Sequence, residues 1–228
     1  MFYGMDPTWI LLIPAILLSL YAQIKVKNTY NKFARVSTRA GIPAHHMVRQ
    51  MLDMNGLQNV TVVPVGGKLT DHYDPKKKEL RLSQENYNSS SVAALGVAAH
   101  ECGHALQDAE GYAPLRIRSS LVPVANFGSN FSWILILAGV LFSFDKLISL
   151  GIIFFAAAVV FQLVTLPVEF NASSRAMAAL EGASFLNSQE LPQAKKVLNA
   201  AALTYVAAAF TAILQLLRLI LLYGRRDK

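Results

Sequence analysis

The residues whose types and spacing could do chemistry stand in one short motif, His100-Glu101-Cys102-Gly103-His104. On a helix, His100 and His104 lie one turn apart on the same face, so both imidazoles can reach one metal ion. Glu101 lies beside that face, where its carboxylate can take a proton from a metal-activated water. Cys102 projects to the opposite side and is expected to be a packed small residue. The motif predicts a zinc site that catalyses hydrolysis.

A catalytic zinc site needs a third protein ligand and one open position. Glu169 is a candidate, because it directly follows a long apolar segment and is the only acid between Lys146 and Glu181. A lone acid at such a place can also be a side chain that reaches the membrane interface without binding a metal. Its position in the sequence leaves both interpretations open.

The elements before and around the motif are expected to hold it in place. The motif helix should begin after the capping residues 88–91 and end near Asp108 or Glu110. Residues 44–55 are amphipathic and predict a short packing helix. Residues 60–83 contain three runs of β-forming side chains separated by Gly and Asp-Pro turns, which predict a three-stranded meander. Its last strand is expected at an edge, either protected against aggregation or able to pair with an extended peptide.

The composition places much of the chain in a membrane. Of its 228 residues, 54% are hydrophobic and only 15% are charged, which is too apolar for an ordinary soluble domain. The uncharged segments long enough to span a bilayer core are residues 7–24, 119–144, 147–168 and 197–217. The second is expected to start as a loop and to enter the bilayer near Phe131. The fourth either crosses or lies along the surface, because a crossing buries Arg218 and exports Arg225 and Arg226.

The basic residues predict the orientation. Lys25, Lys27, Lys32, Arg35 and Arg39 directly follow the first apolar segment, and no Lys or Arg precedes it. This asymmetry disfavours a cleaved signal peptide. Under the positive-inside rule, the N-terminus lies outside and the motif helix faces the cytoplasm. The net charge of +7 is therefore assigned to topology and lipid contact, and no nucleic-acid partner is expected.

Together these features predict a mainly α, integral membrane fold in five parts. Residues 1–24 form an N-terminal anchor, residues 25–118 a small cytoplasmic α+β domain, and residues 119–168 a transmembrane hairpin. Residues 169–196 return to the cytoplasm as a helix that carries the candidate third ligand. Residues 197–228 form a transmembrane or surface helix, so the chain has three to four transmembrane helices.

Three longer segments resemble a known family. They are GGKLTDHYDPKKKELRLS, SVAALGVAAHECGHALQ and LPVEFNASSRA, and together they are far more specific than the five-residue motif. HECGH with a later Glu resembles the gluzincin arrangement of HtpX-like and CAAX-prenyl-protease-like membrane proteases. The three segments, which match over nearly the whole chain, are most similar to the YugP-like family of bacterial membrane zinc metallopeptidases.

The resemblance implies that His100, His104 and Glu169 bind zinc and that Glu101 is the catalytic base. It also implies a zincin-like catalytic domain in a multi-pass protein of the bacterial cell membrane. This chain departs from the ExxxD pattern of the related proteases, because Ser173 stands at the place of the aspartate. The acidic partner that usually orients a zinc-binding histidine is therefore not obvious.

Several polar residues near the motifs are candidates for supporting tasks. The candidates for a hydrogen bond to a zinc-binding histidine are Asn171, Ser173 and Asp71. The candidates to stabilise a developing oxyanion are Arg175, His72 and Tyr73. For the segment that contains Asp71, His72 and Tyr73, the alternative is a turn held by Asx-type hydrogen bonds.

The function predicted from these features is a zinc-dependent endopeptidase at the cytoplasmic membrane surface. Its substrates are expected to be membrane proteins or misfolded chains near the bilayer, with Glu101 activating water and then protonating the leaving amine. The alternatives are a metal-bound scaffold with weak catalysis and a zinc hydrolase of a non-peptide bond. The expected partners are the lipid bilayer and a protein or peptide substrate, and a homo-oligomer or a membrane-protein partner stays open.

Overall fold

The computed structural model describes residues 6–223, and most of them are helical. The elements in chain order are a 3-10 helix (Pro7–Leu11), α1 (Leu12–Phe33), α2 (Ala44–Met54), β1 (Thr61–Val65), β2 (His72–Asp74), β3 (Glu79–Ser83), α3 (Gln84–Tyr87), α4 (Val92–Ala109), α5 (Ala113–Leu141), α6 (Asp145–Gly182) and α7 (Leu191–Tyr223). The first five residues of the expected anchor and the expected basic tail with Arg225 and Arg226 lie outside the described residues.

The chain forms two compact units. The apolar unit contains the chain up to Gln23, Arg116–Leu166, and the chain from Thr204 onward, whereas the α+β unit contains Ile24–Leu115 and Pro167–Leu203. In the described chain, four helices are long and apolar enough to cross a membrane, and they are Pro7–Phe33, Ala113–Leu141, Asp145–Gly182 and Leu191–Tyr223. The four apolar segments identified in the sequence therefore lie in helices, except for residues 142–144 at the end of the second segment.

Helix α5 corrects one expectation about the second apolar segment. The loop expected before Phe131 is helical, and α5 runs without a break from Ala113 to Leu141 although Pro123 lies inside it. In an apolar environment a loop would leave backbone groups without partners, whereas a helix bonds nearly all of them internally, so one proline is tolerated. Helix α5 also packs closely against α6 at Gly128, because a Cβ on this residue would lie 2.9 Å from the Phe154 carbonyl oxygen.

The sheet of the α+β unit corrects a second expectation. Strand β1 pairs in parallel with β3, and β2 pairs antiparallel with β3, so the order is β1-β3-β2. The predicted meander is therefore wrong, and β3 is the central strand rather than an edge. Leu80 and Leu82 of β3 are fully buried. Alternation along a strand identifies its buried face, but it does not say whether a second neighbour pairs with the backbone.

The core of the α+β unit is built around α4. Helix α2 packs Met47, Val48, Met51 and Leu52 into this core, as its amphipathic pattern predicts. The buried surface of α4 consists mostly of Ala and Gly, which lets other backbones come close. A Cβ on Gly103 would overlap the backbone carbonyl of Ala172 in α6. This close approach of α4 and α6 places the residues after Pro167 beside the motif.

Candidate metal centre

Helix α4 presents the two motif histidines on one face, as their spacing predicts. The helix begins after Ser91, whose Oγ accepts a hydrogen bond from the Ala94 amide at 3.2 Å. The imidazole rings of His100 and His104 lie 4.8 Å apart between centroids and are nearly perpendicular. Cys102 is fully buried on the other side, and burial raises the pKa of its thiol to about 12. It is therefore a packed thiol that stays protonated.

Helix α6 brings a carboxylate to the same place. The Glu169 Oε2 atom lies 3.2 Å from His100 Nε2 and 3.6 Å from His104 Nε2. Glu169 is only 2% exposed, so its carboxylate is withdrawn from water. The contact depends on Gly103, because the absent side chain lets the α6 backbone approach α4 one turn away from Glu169.

The residues present fit a zinc ion. One potential ligand atom from each of His100, His104 and Glu169 lies within 4.8 Å of the others. Two imidazole nitrogens and one carboxylate oxygen are a donor set found in catalytic zinc sites, which keep a fourth position open. The carboxylate supplies one negative charge against the two charges of the ion. The donor chemistry and the convergence of the atoms thus both agree with zinc.

The electrostatics around His104 favour a cation at this place. Burial by itself lowers the pKa of His104, but a hydrogen bond to Glu169 and the charges of Glu101 and Glu169 outweigh it, so the net pKa is raised. Glu101 is 8% exposed and follows His100 directly on α4. The carboxylates therefore attract a positive charge to the imidazoles, and a metal ion that binds there replaces a proton.

Each histidine also has a hydrogen-bond partner on its far side. His100 Nδ1 lies 3.1 Å from Ser173 Oγ, and His104 Nδ1 lies 3.0 Å from Gln107 Oε1. Ser173 is one of the candidates identified in the sequence. Gln107 was missed, although its position three residues after His104 puts it on the same side of α4. That spacing is the signal that could have found it.

Asn171 and Arg175 lie behind Gln107 rather than against a histidine. The Gln107 Nε2 atom donates to the Val168 carbonyl at 2.8 Å and to Asn171 Oδ1 at 2.9 Å. Arg175 Nε donates to the same Asn171 oxygen at 2.7 Å, and its two terminal nitrogens bind the carboxylate of Glu110 at 2.6 and 2.7 Å. The guanidinium of Arg175 is thus directed at Asn171 and Glu110.

The other three candidates lie in strand β2 or directly before it. Asp71 accepts hydrogen bonds from the Ser83 backbone and hydroxyl and from the Asn86 amide, which ties the start of β2 to the end of β3. His72 is exposed, and its Nδ1 lies 2.7 Å from the Thr70 carbonyl. The Asx-type hydrogen bonds lie in the turn after this segment, where Asp74 Oδ1 accepts from the Lys76 and Lys77 amides at 2.9 and 3.1 Å.

Tyr73 connects β2 to the motif helix. Its hydroxyl donates to Asp108 Oδ2 at 2.7 Å, and Lys78 Nζ lies 2.6 Å from the same oxygen. Burial and the Asp108 carboxylate raise the pKa of Tyr73 above its usual range, so the hydroxyl stays protonated. Asp108 lies one turn after His104, which fixes the edge strand β2 beside the histidine face of α4.

Comparisons with known proteins agree with the chemistry of this centre. A family model described as "Putative neutral zinc metallopeptidase" matches residues 8–224. A relative from Bacillus subtilis (strain 168), "Putative membrane protease YugP", is 48% identical over 213 residues, which cover 93% of this chain and 95% of the relative. No solved structure matches the chain significantly.

Proposed function

Because the chain belongs to this zinc metallopeptidase family, we propose that it is a membrane-embedded endopeptidase of the gluzincin type. In this proposal His100, His104 and Glu169 hold the zinc ion and Glu101 is the catalytic base. The observation that carries the proposal is the convergence of one donor atom from each of the three ligands, from two different helices, within 4.8 Å.

The groups of the proposed site have different roles in catalysis. Zinc bound at this centre supplies a Lewis acid that polarises the scissile carbonyl and makes a water more acidic. Glu101 takes a proton from the attacking water and gives it to the leaving amine. Its place next to His100 on α4 keeps the carboxylate beside the ligands without using it as one. The imidazoles keep their orientation through Ser173 and Gln107.

A substrate peptide has a natural place along β2. The sequence suggested pairing with an edge strand, and with the sheet order corrected the edges are β1 and β2. Strand β2 is the edge that Tyr73 links to α4 through Asp108. An extended peptide that pairs with β2 would therefore run beside the helix that carries His100 and His104. This assignment favours unfolded or extended segments of protein as substrates.

The length of α6 supports a location at the membrane surface. The helix has 38 residues, whereas about 20 helical residues cross the hydrocarbon core of a bilayer. Residues 147–168 contain no charge and are long enough for that crossing, so Glu169 begins the part of α6 beyond it. The exposed basic residues between Lys25 and Arg39 support the proposal that this end of the span is on the cytoplasmic side. Membrane proteins and misfolded chains near that surface are the proposed substrates.

The contacts of Arg218 support a fourth crossing, because they answer the objection that a crossing would bury its charge. Arg218 in α7 is 12% exposed, and its guanidinium binds Asp6 Oδ2 and Thr8 Oγ1, each at 3.2 Å. It also lies over the Trp9 ring, 4.2 Å from the centroid. A charge compensated in this way is tolerated near a membrane interface. We therefore propose four crossings, with both termini on the outer side.

The test compares the wild type with Glu101→Gln in purified, full-length protein. We expect zinc content to be unchanged and cleavage of a casein-like or membrane-protein substrate to fall by roughly 100-fold or more, as is typical when a general acid–base is lost. Glu181→Gln, the same change at an exposed position of α6, is the matched control and should cleave normally. Equal cleavage by wild type and Glu101→Gln would overturn the proposal.

A further inference from the structure

A chain of hydrogen bonds leads from His104 to the surface of the α+β unit. His104 Nδ1 lies 3.0 Å from Gln107 Oε1. Gln107 Nε2 donates to Asn171 Oδ1 at 2.9 Å, and Arg175 Nε donates to the same oxygen at 2.7 Å. We call Gln107, Asn171 and Arg175 the orienting network. Gln107 is fully buried, so the bonds of its amide are not exchanged with bulk water.

The direction of these hydrogen bonds is fixed from both ends. A guanidinium can only donate, so the Asn171 atom that faces Arg175 must be the carbonyl oxygen. The backbone carbonyl of Val168 can only accept, so the Gln107 atom that faces it, at 2.8 Å, must be the amide nitrogen. The same nitrogen donates to the Asn171 oxygen. Two independent neighbours thus agree on the orientation of the Gln107 amide.

This orientation determines which nitrogen of His104 carries the proton. With its nitrogen engaged by Val168 and Asn171, Gln107 presents its oxygen to His104, and an oxygen needs a donor. His104 Nδ1 therefore carries hydrogen, and in the neutral imidazole the lone pair is left on Nε2. Nε2 is the atom that lies 3.6 Å from Glu169 Oε2. The lone pair consequently points to the place where the ligand atoms converge.

We infer that Gln107, Asn171 and Arg175 are positioning residues that fix the metal-binding tautomer of His104. The inference rests on the proposed zinc site and adds to it the groups that prepare one ligand before the ion arrives. Partners of this kind fix the tautomer and ring orientation of metal-bound histidines, and their loss typically costs about 10- to 100-fold in metal affinity.

The other histidine provides an internal comparison. His100 Nδ1 faces the hydroxyl of Ser173 at 3.1 Å, and a hydroxyl can either donate or accept. Ser173 therefore supports the ring of His100 but does not select its tautomer. We expect Ser173→Ala to weaken zinc binding less than Gln107→Leu does, since only Gln107 excludes the wrong tautomer.

The ion pair between Arg175 and Glu110, at the outer end of the network, is expected to contribute less to zinc affinity than Gln107 does. Arg175 is held by Glu110, whose side chain is 58% exposed, so the charge pair is screened by salt and adds little stability. The bond that matters for direction is the one from Arg175 Nε to Asn171. Glu110→Gln should therefore change zinc affinity much less than replacement of Gln107.

The experiment measures zinc affinity of the full-length protein by competition with a zinc-binding dye. We expect Gln107→Leu and Asn171→Leu to weaken binding by about 10- to 100-fold. Asn171→Asp should stay close to the wild type, because both bonds to this residue are accepted by oxygen. In nitrogen-15 spectra of the histidine-labelled, full-length protein without zinc, at a pH where the imidazole is neutral, the wild type should show the hydrogen of His104 on Nδ1. Gln107→Leu should show a mixture of both tautomers.

Two amide-to-carboxylate substitutions test the direction of the hydrogen bonds. Gln107→Glu and Asn171→Asp both turn an amide into a carboxylate, yet only the first places a new oxygen against the Val168 carbonyl and Asn171 Oδ1. At a pH where carboxylates are ionised, we therefore expect Gln107→Glu to bind zinc more weakly than Asn171→Asp. Equal affinities, or the reverse order, would contradict the inferred direction.

Two controls separate this inference from the site on which it rests. Asn86→Leu removes another buried amide of the α+β unit, one bound to Tyr30 and Asp71, and should lower stability without changing zinc affinity. His104→Ala should abolish binding. If His104→Ala abolishes it but Gln107→Leu binds like the wild type, the network is refuted and the site stands. Wild-type binding by His104→Ala would refute both.

Discussion

Each of the two units contains a cluster of polar side chains, and the two clusters differ in how their charges are compensated. In the apolar unit, Arg218 meets Asp6 and Thr8, so donors face acceptors and the positive and negative charges compensate each other. In the α+β unit, His100 and His104 turn their Nε2 atoms toward the Glu169 carboxylate. When the imidazoles are neutral and their far nitrogens hold the hydrogens, three acceptors face one another.

The difference shows why only one of the clusters is a candidate metal centre. Acceptors that converge in a buried place repel one another unless a proton or a cation lies between them. The cluster around Arg218 already contains its cation and is complete. A cation would complete the cluster around Glu169, and zinc is the metal of the family to which the chain belongs.

The largest effect is expected from Glu169→Gln. The change removes the negative charge of the centre and turns an acceptor into an amide that can donate. We expect zinc affinity to fall by more than the roughly 10- to 100-fold that the loss of an outer partner typically costs, so that metal analysis after dialysis finds little zinc. Glu181→Gln on the same helix should keep its zinc. Full occupancy in Glu169→Gln would mean that Glu169, like Asp6, is only a counter-ion.

An effect of intermediate size is expected from Gly103→Ala. The new Cβ would overlap the Ala172 carbonyl and push α6 away from α4, so we expect a loss of about 1–3 kcal/mol in stability, typical of overpacking, together with weaker zinc binding. Gly96→Ala is the matched control on α4, because its Cβ would only make ordinary contacts with Ala194, the nearest at 3.6 Å. Thermal unfolding and zinc titration of the two variants check this. Similar behaviour would show that the close approach does not build the site.

The smallest effect is expected from Asp6→Asn. This change leaves Arg218 without its counter-ion, so the melting temperature should fall while zinc affinity stays unchanged. Replacing Arg218 by Met in the same protein should recover part of the loss, because the double variant no longer contains a partly buried guanidinium without its counter-ion. The melting temperatures of the single and double variants provide the measurement. A single variant as stable as the wild type would contradict the idea of a self-compensated pair.

Local features of the sequence were sufficient to predict the helices and two of the three candidate metal ligands. The cap at Ser91 and the break after Glu110 set the ends of α4, and a spacing of four residues put His100 and His104 on one face whatever surrounds the helix. The spans could be found in the same way, since a run of uncharged residues long enough for a bilayer is a local property. The resemblance to the YugP-like family, which comparison with known proteins confirms, pointed to Glu169.

Other features could not be obtained from local patterns. The order of the strands depends on which backbone edge finds a partner, and the alternation in β3 is the same for a central and an edge strand. The role of Asn171 depends on Gln107 and Arg175 together, and Gln107 comes from another helix. The continuity of α5 through Pro123 depends on the surroundings of the helix, which a turn-like composition does not reveal.

The sequence by itself determined the chemistry that is available, namely two imidazoles and a carboxylate on one helix and an apolar chain long enough to cross a membrane. These follow from helical periodicity and composition, which act over a few residues. Only the tertiary structure decided that Glu169 meets both histidines and that Gln107 points its oxygen at His104. Both depend on the backbone of α6 coming within contact distance of α4 at Gly103, and such a contact between distant segments is set by packing.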